Sequence, residues 1–351
     1  MVNYMRYVAF LTLLFIHYCS MSRSIYRMSS DEIPRITTRW LGEKKTYTLQ
    51  HPNLEVGPLF TNYDPSYLAE HAFPEIFIQP RNIEHAPVDG SDLAKILENF
   101  LKELQSSNSL RAHYKDVIIL KKKDYNPRSH TGMIIVKFRK YPFIAKISLE
   151  TPSSFVSPFS KGFEPAIFFM MGSINRHISG FLRIKNAEAI RSFIAQSPYW
   201  SARVDVPRKW FWQPKYQRCI EVTSSNMGSQ QHRIVIPSVY AIIADAITPD
   251  HCFCLFNRED RLKALEFCHY VGIRVDLHID NFMVEQGSGI LILVDTEHFP
   301  SMVGLRDEFS FSSYGDWYWK LSYKGFFDCF GRTKDVRKKY QSSDERLILS
   351  C

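Results

Sequence analysis

The sequence predicts a mixed α+β protein, built either as one two-lobed unit or as two small domains. Three strand-like runs follow each other closely at 117–120, 133–139 and 143–149. A helix-like stretch and a hairpin follow between residues 257 and 294. The 351 residues have a high aromatic content and no low-complexity tract, so the chain is long and apolar enough to form a sizeable core.

The helix and the hairpin are predicted from capping residues and apolar spacing. Asn257 is a good N-cap, apolar residues then recur at helical spacing, and Gly272 is a suitable stop. Residues 282–284 and 290–294 read as two short strands, and 285–289 between them has the composition of a turn. Such a hairpin brings the start of its first strand close to the residue that follows its second strand.

Four polar residues lie on the loop before this hairpin and at its far end. Asp276, His278 and Asn281 occupy the loop, and Asp295 follows the second strand. They provide one carboxylate suited to act as a general base and two oxygen ligands suited to Mg²⁺. This layout is expected of a site that moves a phosphoryl group from ATP.

A lysine stands alone among apolar residues in the third of the upstream strands. Lys146 shares one face of that strand with Ile144 and Ser148. A lysine between apolar neighbours is costly to bury without an anion, so an ATP phosphate is a natural partner for it. The alternative is a lysine of an edge strand whose ammonium group reaches water.

These motifs resemble those of the protein-kinase-like superfamily. The Asp-x-His-x-x-Asn loop at 276–281 looks like that of the aminoglycoside and choline phosphotransferases. With 282–284 and 295–299 added, the segment is also similar to the phosphoinositide kinases. Residues 144–146, Ile-Ala-Lys, resemble the Val-Ala-Ile-Lys strand of kinases.

The resemblance implies a two-lobed kinase-like fold, with a β-rich small lobe and an abbreviated helical large lobe. It also implies an ATP- and Mg²⁺-dependent phosphotransferase that acts on a hydroxyl of a small molecule, a lipid headgroup or a protein. In such an enzyme Asp276 is the catalytic base, and Asn281 and Asp295 hold the metal. Lys146 binds phosphate, while His278 steadies the loop or approaches the phosphates.

Three features depart from the superfamily pattern. The helix glutamate that pairs with the lysine is not obvious, and Glu164 and Glu188 are the two candidates. Thr296 and Glu297 stand where Phe-Gly follows the metal-binding aspartate. The stretch 121–132, predicted to be a solvated loop that begins with three lysines, holds a single glycine. These departures keep a catalytically silent kinase-like binding module, an exported interaction protein, as the alternative function.

The remaining stretches complete a predicted domain order. Residues 92–104 form a helix with one apolar stripe, which is typical of core contact. The apolar stretch at 233–237 and 239–247 is predicted to be the last strand of the small lobe and its hinge, where the backbone of 240–246 contacts adenine. The predicted order is a leader at 1–22, an extension packing on the small lobe at 23–108, the small lobe and hinge at 109–247, and the large lobe at 248–351.

The amino terminus has the pattern of a signal peptide. Arg6 precedes an apolar run at 7–16, and Ser20-Met21-Ser22 then offers small residues for cleavage. The run is short for a transmembrane span, so we expect a secreted protein, with an uncleaved membrane anchor as the alternative.

The charge pattern bears on partners. The net charge of +8 is modest for this length, and the lysines and arginines are scattered. We therefore expect no nucleic-acid partner. A nucleotide and a phosphoryl acceptor are the expected partners, and a basic surface also suits anionic lipid headgroups or an acidic protein.

Overall fold

Open β-sheets dominate the fold, and a few helices cover them, so the chain is an α+β protein. The structure is a computed structural model, and it describes residues 35–50, 63–82, 84–156, 173–225, 232–252, 266–267, 270, 281–296 and 346–348. All of these residues belong to one unit, Pro34–Cys351.

Strands and helices are numbered in chain order over the described residues. The strands are β1 (Arg35–Trp40), β2 (Tyr47–Gln50), β3 (Phe77–Ile78), β4 (Val88–Asp89), β5 (Val117–Asn126), β6 (Thr131–Phe138), β7 (Phe143–Leu149), β8 (Val204–Asp205), β9 (Lys209–Trp212), β10 (Cys219–Ser225), β11 (His232–Pro237), β12 (Val239–Asp245), β13 (Pro249–Cys252), β14 (Phe282–Glu285), β15 (Leu291–Leu293) and β16 (Arg346–Ile348). The helices are α1 (Pro65–Glu70), α2 (Gly90–Gln105), α3 (Pro152–Val156), α4 (Ser173–Ala195) and α5 (Pro198–Ser201).

The strands form four sheets in the described part of the chain. One sheet has the order β11-β10-β1-β2-β16, and a second has the order β5-β6-β7-β12-β9. A four-stranded sheet has the order β13-β14-β15-β8, and β3 pairs with β4. The second sheet contains the three strands predicted upstream, and the four-stranded sheet contains the predicted hairpin as β14 and β15, so both predictions are confirmed.

The prediction of a solvated loop over 121–132 is wrong for its first half. Strand β5 continues to Asn126, and Lys121, Lys122 and Lys123 pair with β6. Strand β5 lies at the edge of its sheet, where lysine side chains can reach water. The hairpin turn is confined to 127–130.

The apolar stretch predicted as one strand is two strands in different sheets. Ser238 separates β11 from β12. Its N–H donates to Arg218 O at 3.1 Å, and its carbonyl oxygen accepts from Glu150 N–H at 2.8 Å. Strand β12 lies between β7 and β9, so its backbone groups are engaged on both sides. The amide of Ala246 also donates to Pro142 O at 2.9 Å. The backbone of residues 241–244 is therefore bonded within the sheet, and an adenine contact from this stretch stays a prediction.

Helix α2 confirms the helix predicted at 92–104. The Asp89 side chain caps it by accepting a hydrogen bond from Ser91 N at 2.8 Å. Its apolar stripe lies in one core cluster with Phe143, Ala145 and Ile147 of β7. These β7 side chains alternate with Lys146, so α2 covers the sheet face opposite to this lysine.

Helix α4 covers the face of the sheet that carries Lys146. It contains Glu188, one of the two candidate partners of Lys146. At Gly180 a Cβ atom would lie well under 3.0 Å from the Tyr240 side chain of β12. The absence of a side chain at Gly180 thus allows the helix to lie close to the sheet, and Phe181 packs on Tyr240 with ring centroids 5.2 Å apart.

Several sequence predictions fall on residues that the structure does not describe. They are the leader, Glu164, the loop with Asp276 and His278, and most of the helix that begins at Asn257, of which Glu266, Phe267 and Tyr270 are described and helical. Among the described helices, none is long and apolar enough to cross a membrane.

We expect Gly180→Ala to lower the free energy of unfolding by about 1–3 kcal/mol, because the added methyl group collides with Tyr240. Chemical denaturation of the full chain measures this change. In a helix without that contact, alanine would instead stabilise by about 1 kcal/mol relative to glycine. Ser192→Ala at an exposed position of the same helix is the control, and a stabilised Gly180→Ala protein contradicts the close approach.

Candidate functional site

The site begins with Lys146 in the middle of the second sheet. Strand β7 lies between β6 and β12, and Lys146 pairs with Ile135 on one side and Ile242 on the other. Its aliphatic stem therefore lies along apolar neighbours, and 15% of its side chain is exposed. Since β7 is an inner strand, the alternative of a lysine at the sheet edge is excluded.

The β14–β15 hairpin brings Asp295 to this lysine. Phe282 pairs with Leu293, and Val294 N–H donates to Asn281 O at 2.9 Å. Asp295 follows directly and reaches Lys146, whose Nζ lies 2.5 Å from Asp295 Oδ2. These two charged groups are 149 residues apart in the chain, so the contact is a product of the tertiary fold.

Helix α4 supplies a second cation to the same carboxylate. Arg183 Nε donates to Asp295 Oδ1 at 2.9 Å, and only 3% of the Arg183 side chain is exposed. The helix also holds the next residue, because Thr296 Oγ1 donates to Arg183 O at 2.6 Å and Asn186 Nδ2 donates to Thr296 O at 3.1 Å. Both carboxylate oxygens of Asp295 are thus held from different elements.

Lys209 is a third cation at the site, and the sequence analysis missed it. It lies on β9, and the register Ala244–Lys209 puts it on the same sheet face as Lys146. It is 4% exposed, and its Nζ donates to Val294 O at 3.1 Å. Like Lys146, Lys209 lies in an apolar strand, and this pattern is visible in the sequence at 209–212.

Burial and the neighbouring charges shift the pKa values of Asp295 and Lys209. Burial by itself raises the pKa of the Asp295 carboxyl, but the charges of Arg183 and Lys146 outweigh it and hold that pKa well below its ordinary value. Burial lowers the pKa of Lys209 to about 7, and Asp295 opposes that shift, while Lys146, Arg183 and Arg191 add to it. Among the described residues, the site thus places Lys146, Arg183 and Lys209 around the carboxylate of Asp295.

The helix that faces Lys146 brings an arginine to the site. Arg183 of α4 pairs with Asp295, and Asp295 also pairs with Lys146. Glu188, a predicted partner, lies five residues after Arg183 and so about 140° around the helix from it. Its charge acts on Tyr67, whose pKa is raised mainly by burial and further by Glu188. Glu164, the other predicted partner, lies outside the described residues.

The predicted metal ligands have suitable donor chemistry. Asn281 is 9% exposed at the start of β14, and its backbone bonds to the residue before Asp295. A carboxylate and a side-chain amide oxygen are donors that Mg²⁺ prefers, and in this structure Lys146 and Arg183 occupy the two oxygens of Asp295. Asp276 and His278 lie outside the described residues.

Ion pairs fix the strands that carry these residues. Arg208, next to Lys209, donates to Asp245 at 2.7 Å and 2.9 Å, and Asp245 is 1% exposed. Arg81 donates to both oxygens of Glu285 at 2.9 Å and 3.1 Å and also pairs with Asp205. Arg81 thereby joins Glu285 of β14 to Asp205 of β8, and this holds the hairpin that leads to Asp295.

No protein-family model matches this sequence, and neither the comparison with curated proteins nor the comparison with solved structures gives a match.

We expect the free energy of unfolding of the metal-free protein to rise between pH 7 and pH 10.5 in part through Lys209. Its pKa is about 7 when folded and has the ordinary value of 10.5 when unfolded, so the unfolded chain binds more protons in this range. The Lys209 contribution is on the order of 1 kcal/mol per pH unit. Below pH 7 the buried amine is charged in both states and the contribution is flat.

Urea denaturation of the wild type and of Lys209→Met over this range isolates the contribution. The difference between the two proteins should change with pH, because methionine does not titrate. Lys140→Met, at an exposed position of the same sheet, is the control and should follow the wild type. Parallel curves for wild type and Lys209→Met show that Lys209 keeps an ordinary pKa.

Proposed function

We propose that the protein is a two-lobed, kinase-like phosphotransferase that uses ATP and Mg²⁺ and acts on a hydroxyl acceptor. The observation that carries the proposal is the contact between Lys146 and Asp295. Each residue has the sequence context expected of its role, one in a sheet strand and one after a hairpin, and the two lie 2.5 Å apart. A phosphate-binding lysine and a metal-binding aspartate need this proximity, because both act on the same phosphates.

Each residue of the proposed site has its own role. Lys146 leaves Oδ2 of Asp295 and binds donor phosphate, while Arg183 keeps Oδ1 and holds the carboxylate in place. Asn281 and Asp295 would hold Mg²⁺, which would offset the charge of the donor phosphates. Asp276 orients or deprotonates the acceptor hydroxyl.

The second candidate is a catalytically silent kinase-like module. Two observations favour it: the hairpin turn at 127–130 contains no glycine, and both oxygens of Asp295 are already held by cations. In this case the ion pairs serve the stability of the fold, and the surface serves a binding partner.

Calorimetry with a nonhydrolysable ATP analogue and Mg²⁺, together with an ATP-consumption assay, distinguishes the two functions. Asp295→Asn and Lys146→Ala should each weaken analogue binding and abolish turnover, because both residues act on the donor phosphates. Asp276→Asn should leave analogue affinity largely intact while turnover falls by about 10²–10⁴-fold, the usual loss of a general base.

Lys140→Ala removes an exposed lysine from the same sheet and should change neither measurement. A wild-type protein that binds no nucleotide with Mg²⁺ or Mn²⁺ contradicts the proposal. Nucleotide binding without turnover on a broad acceptor panel, unaffected by Asp276→Asn, favours the silent module.

A further inference from the structure

Three consecutive residues that follow strand β15 are each held by a different part of the protein. Val294 O accepts a hydrogen bond from Lys209 of β9 at 3.1 Å. Asp295 comes next and pairs with Lys146 of β7. Thr296 is fully buried, and helix α4 holds it. The main chain is thus anchored on both sides of Asp295.

One turn of helix α4 binds two of these residues. Arg183 Nε donates to Asp295 Oδ1 at 2.9 Å, and the main-chain oxygen of Arg183 accepts from Thr296 Oγ1 at 2.6 Å. Asn186 Nδ2 donates to Thr296 O at 3.1 Å. Arg183 and Asn186 are three residues apart and so lie on the same face of the helix. The bonds to Thr296 thus fix Asp295 relative to the same helix turn that supplies Arg183.

The anchors on either side of Asp295 limit the directions that its carboxylate can take. A side chain adopts few staggered rotamers, and the main-chain dihedral angles decide which of them are allowed. Val294 and Thr296 are both bonded through their main-chain oxygens, so the main chain of Asp295 between them is restrained. If Thr296 is released, the dihedral angles of Asp295 become free to change, and both of its cation contacts weaken.

A buried hydroxyl needs a hydrogen-bond partner at any site, so the burial of Thr296 by itself assigns no role. Thr38 shows that ordinary case: it is also fully buried, and its Oγ1 donates to Pro152 O at 2.7 Å. Thr296 differs in two respects. It directly follows Asp295, and a second side chain, that of Asn186, binds its carbonyl oxygen. Together these features tie Thr296 to the direction of the neighbouring carboxylate.

We propose that Thr296 and Asn186 are positioning residues that direct the Asp295 carboxylate towards Lys146 and the donor phosphates. The inference deepens the proposed function and rests on it, because the carboxylate needs a set direction only if it serves a ligand. Side chains that orient a metal ligand from outside typically contribute roughly 10–100-fold to metal affinity or activity. Arg183, Thr296 and Asn186 stay in place when Lys146 turns to phosphate, so the carboxylate keeps its direction.

The first test uses the metal-free full chain, labelled with ¹⁵N-arginine, and follows the Nε–Hε resonance of Arg183. The signal that Arg183→Lys removes gives its assignment. Because this proton is bonded to a carboxylate, we expect it downfield of the exposed arginines in the wild type. Thr296→Val keeps the shape of the side chain without its hydroxyl, and Asn186→Leu removes the second bond. Each should move the resonance upfield, whereas Thr296→Ser should keep it downfield because the hydroxyl remains.

Thr38→Val is the matched control, because it also removes a fully buried hydroxyl that donates to a main-chain oxygen. It should lower the melting temperature about as much as Thr296→Val does and leave the Arg183 resonance where it is. Equal movement of the resonance in both variants shows a general loosening of the fold and overturns the proposal. So does a Thr296→Val protein or an Asn186→Leu protein whose resonance matches that of the wild type.

The second test measures the binding of a nonhydrolysable ATP analogue by calorimetry at a series of Mg²⁺ concentrations. Thr296→Val should raise the Mg²⁺ concentration needed for half-maximal analogue binding roughly tenfold, and Thr38→Val should not change it. A Thr296→Val protein with the wild-type Mg²⁺ requirement overturns the positioning role while the proposed function stands. A wild type that binds no analogue contradicts the proposed function, and the Arg183 resonance then still decides whether Thr296 directs Asp295.

Discussion

The carboxylate of Asp295 is the point on which the described architecture depends. It receives Lys146 from the second sheet and Arg183 from α4, and it belongs to the hairpin of a different sheet. Removing a charge from water is costly, and a partly buried ion pair is favourable only when its geometry is good and its other groups are bonded. These conditions hold only if all three elements are in place together, so the contact fixes their arrangement.

The same arrangement sets the chemistry that the site can support. Among the described residues, Lys146, Arg183 and Lys209 lie around Asp295, and burial lowers the pKa of Lys209 to about 7. The close approach of α4 at Gly180 is what brings Arg183 within reach. The packing of α4 against the sheet and the electrostatics of the site therefore depend on each other.

The sequence predicts some of this arrangement and not the rest, for physical reasons. The strand with Lys146, the hairpin that ends at Asp295 and helix α2 follow from alternation, turn composition and apolar spacing, which are local properties. Arg183 escapes such reasoning, because an arginine on an amphipathic helix is ordinary and its burial depends on where the helix docks. The first sheet escapes it too, because β1 pairs with β10, and their paired residues are 180 to 190 positions apart in the chain.

Two local features of the sequence indicate structure that the spacing of apolar residues alone does not predict. Pro237 ends β11, and a proline at that place indicates that the apolar stretch does not continue as one strand. Lys209 satisfies the same criterion as Lys146, a lysine in a short apolar strand. The lysines of β5 led to a wrong prediction. A basic run suggests a loop, but an edge strand accommodates lysine side chains equally well.

The most direct test of the central claim is a crystal structure of the full chain with a nonhydrolysable ATP analogue and Mg²⁺. We predict that the terminal phosphates lie within hydrogen-bond distance of Lys146 Nζ, that Mg²⁺ contacts Asp295 and Asn281, and that Arg183 keeps its bond to Asp295. An analogue bound elsewhere on the protein, with the contact between Lys146 and Asp295 unchanged, contradicts the assignment.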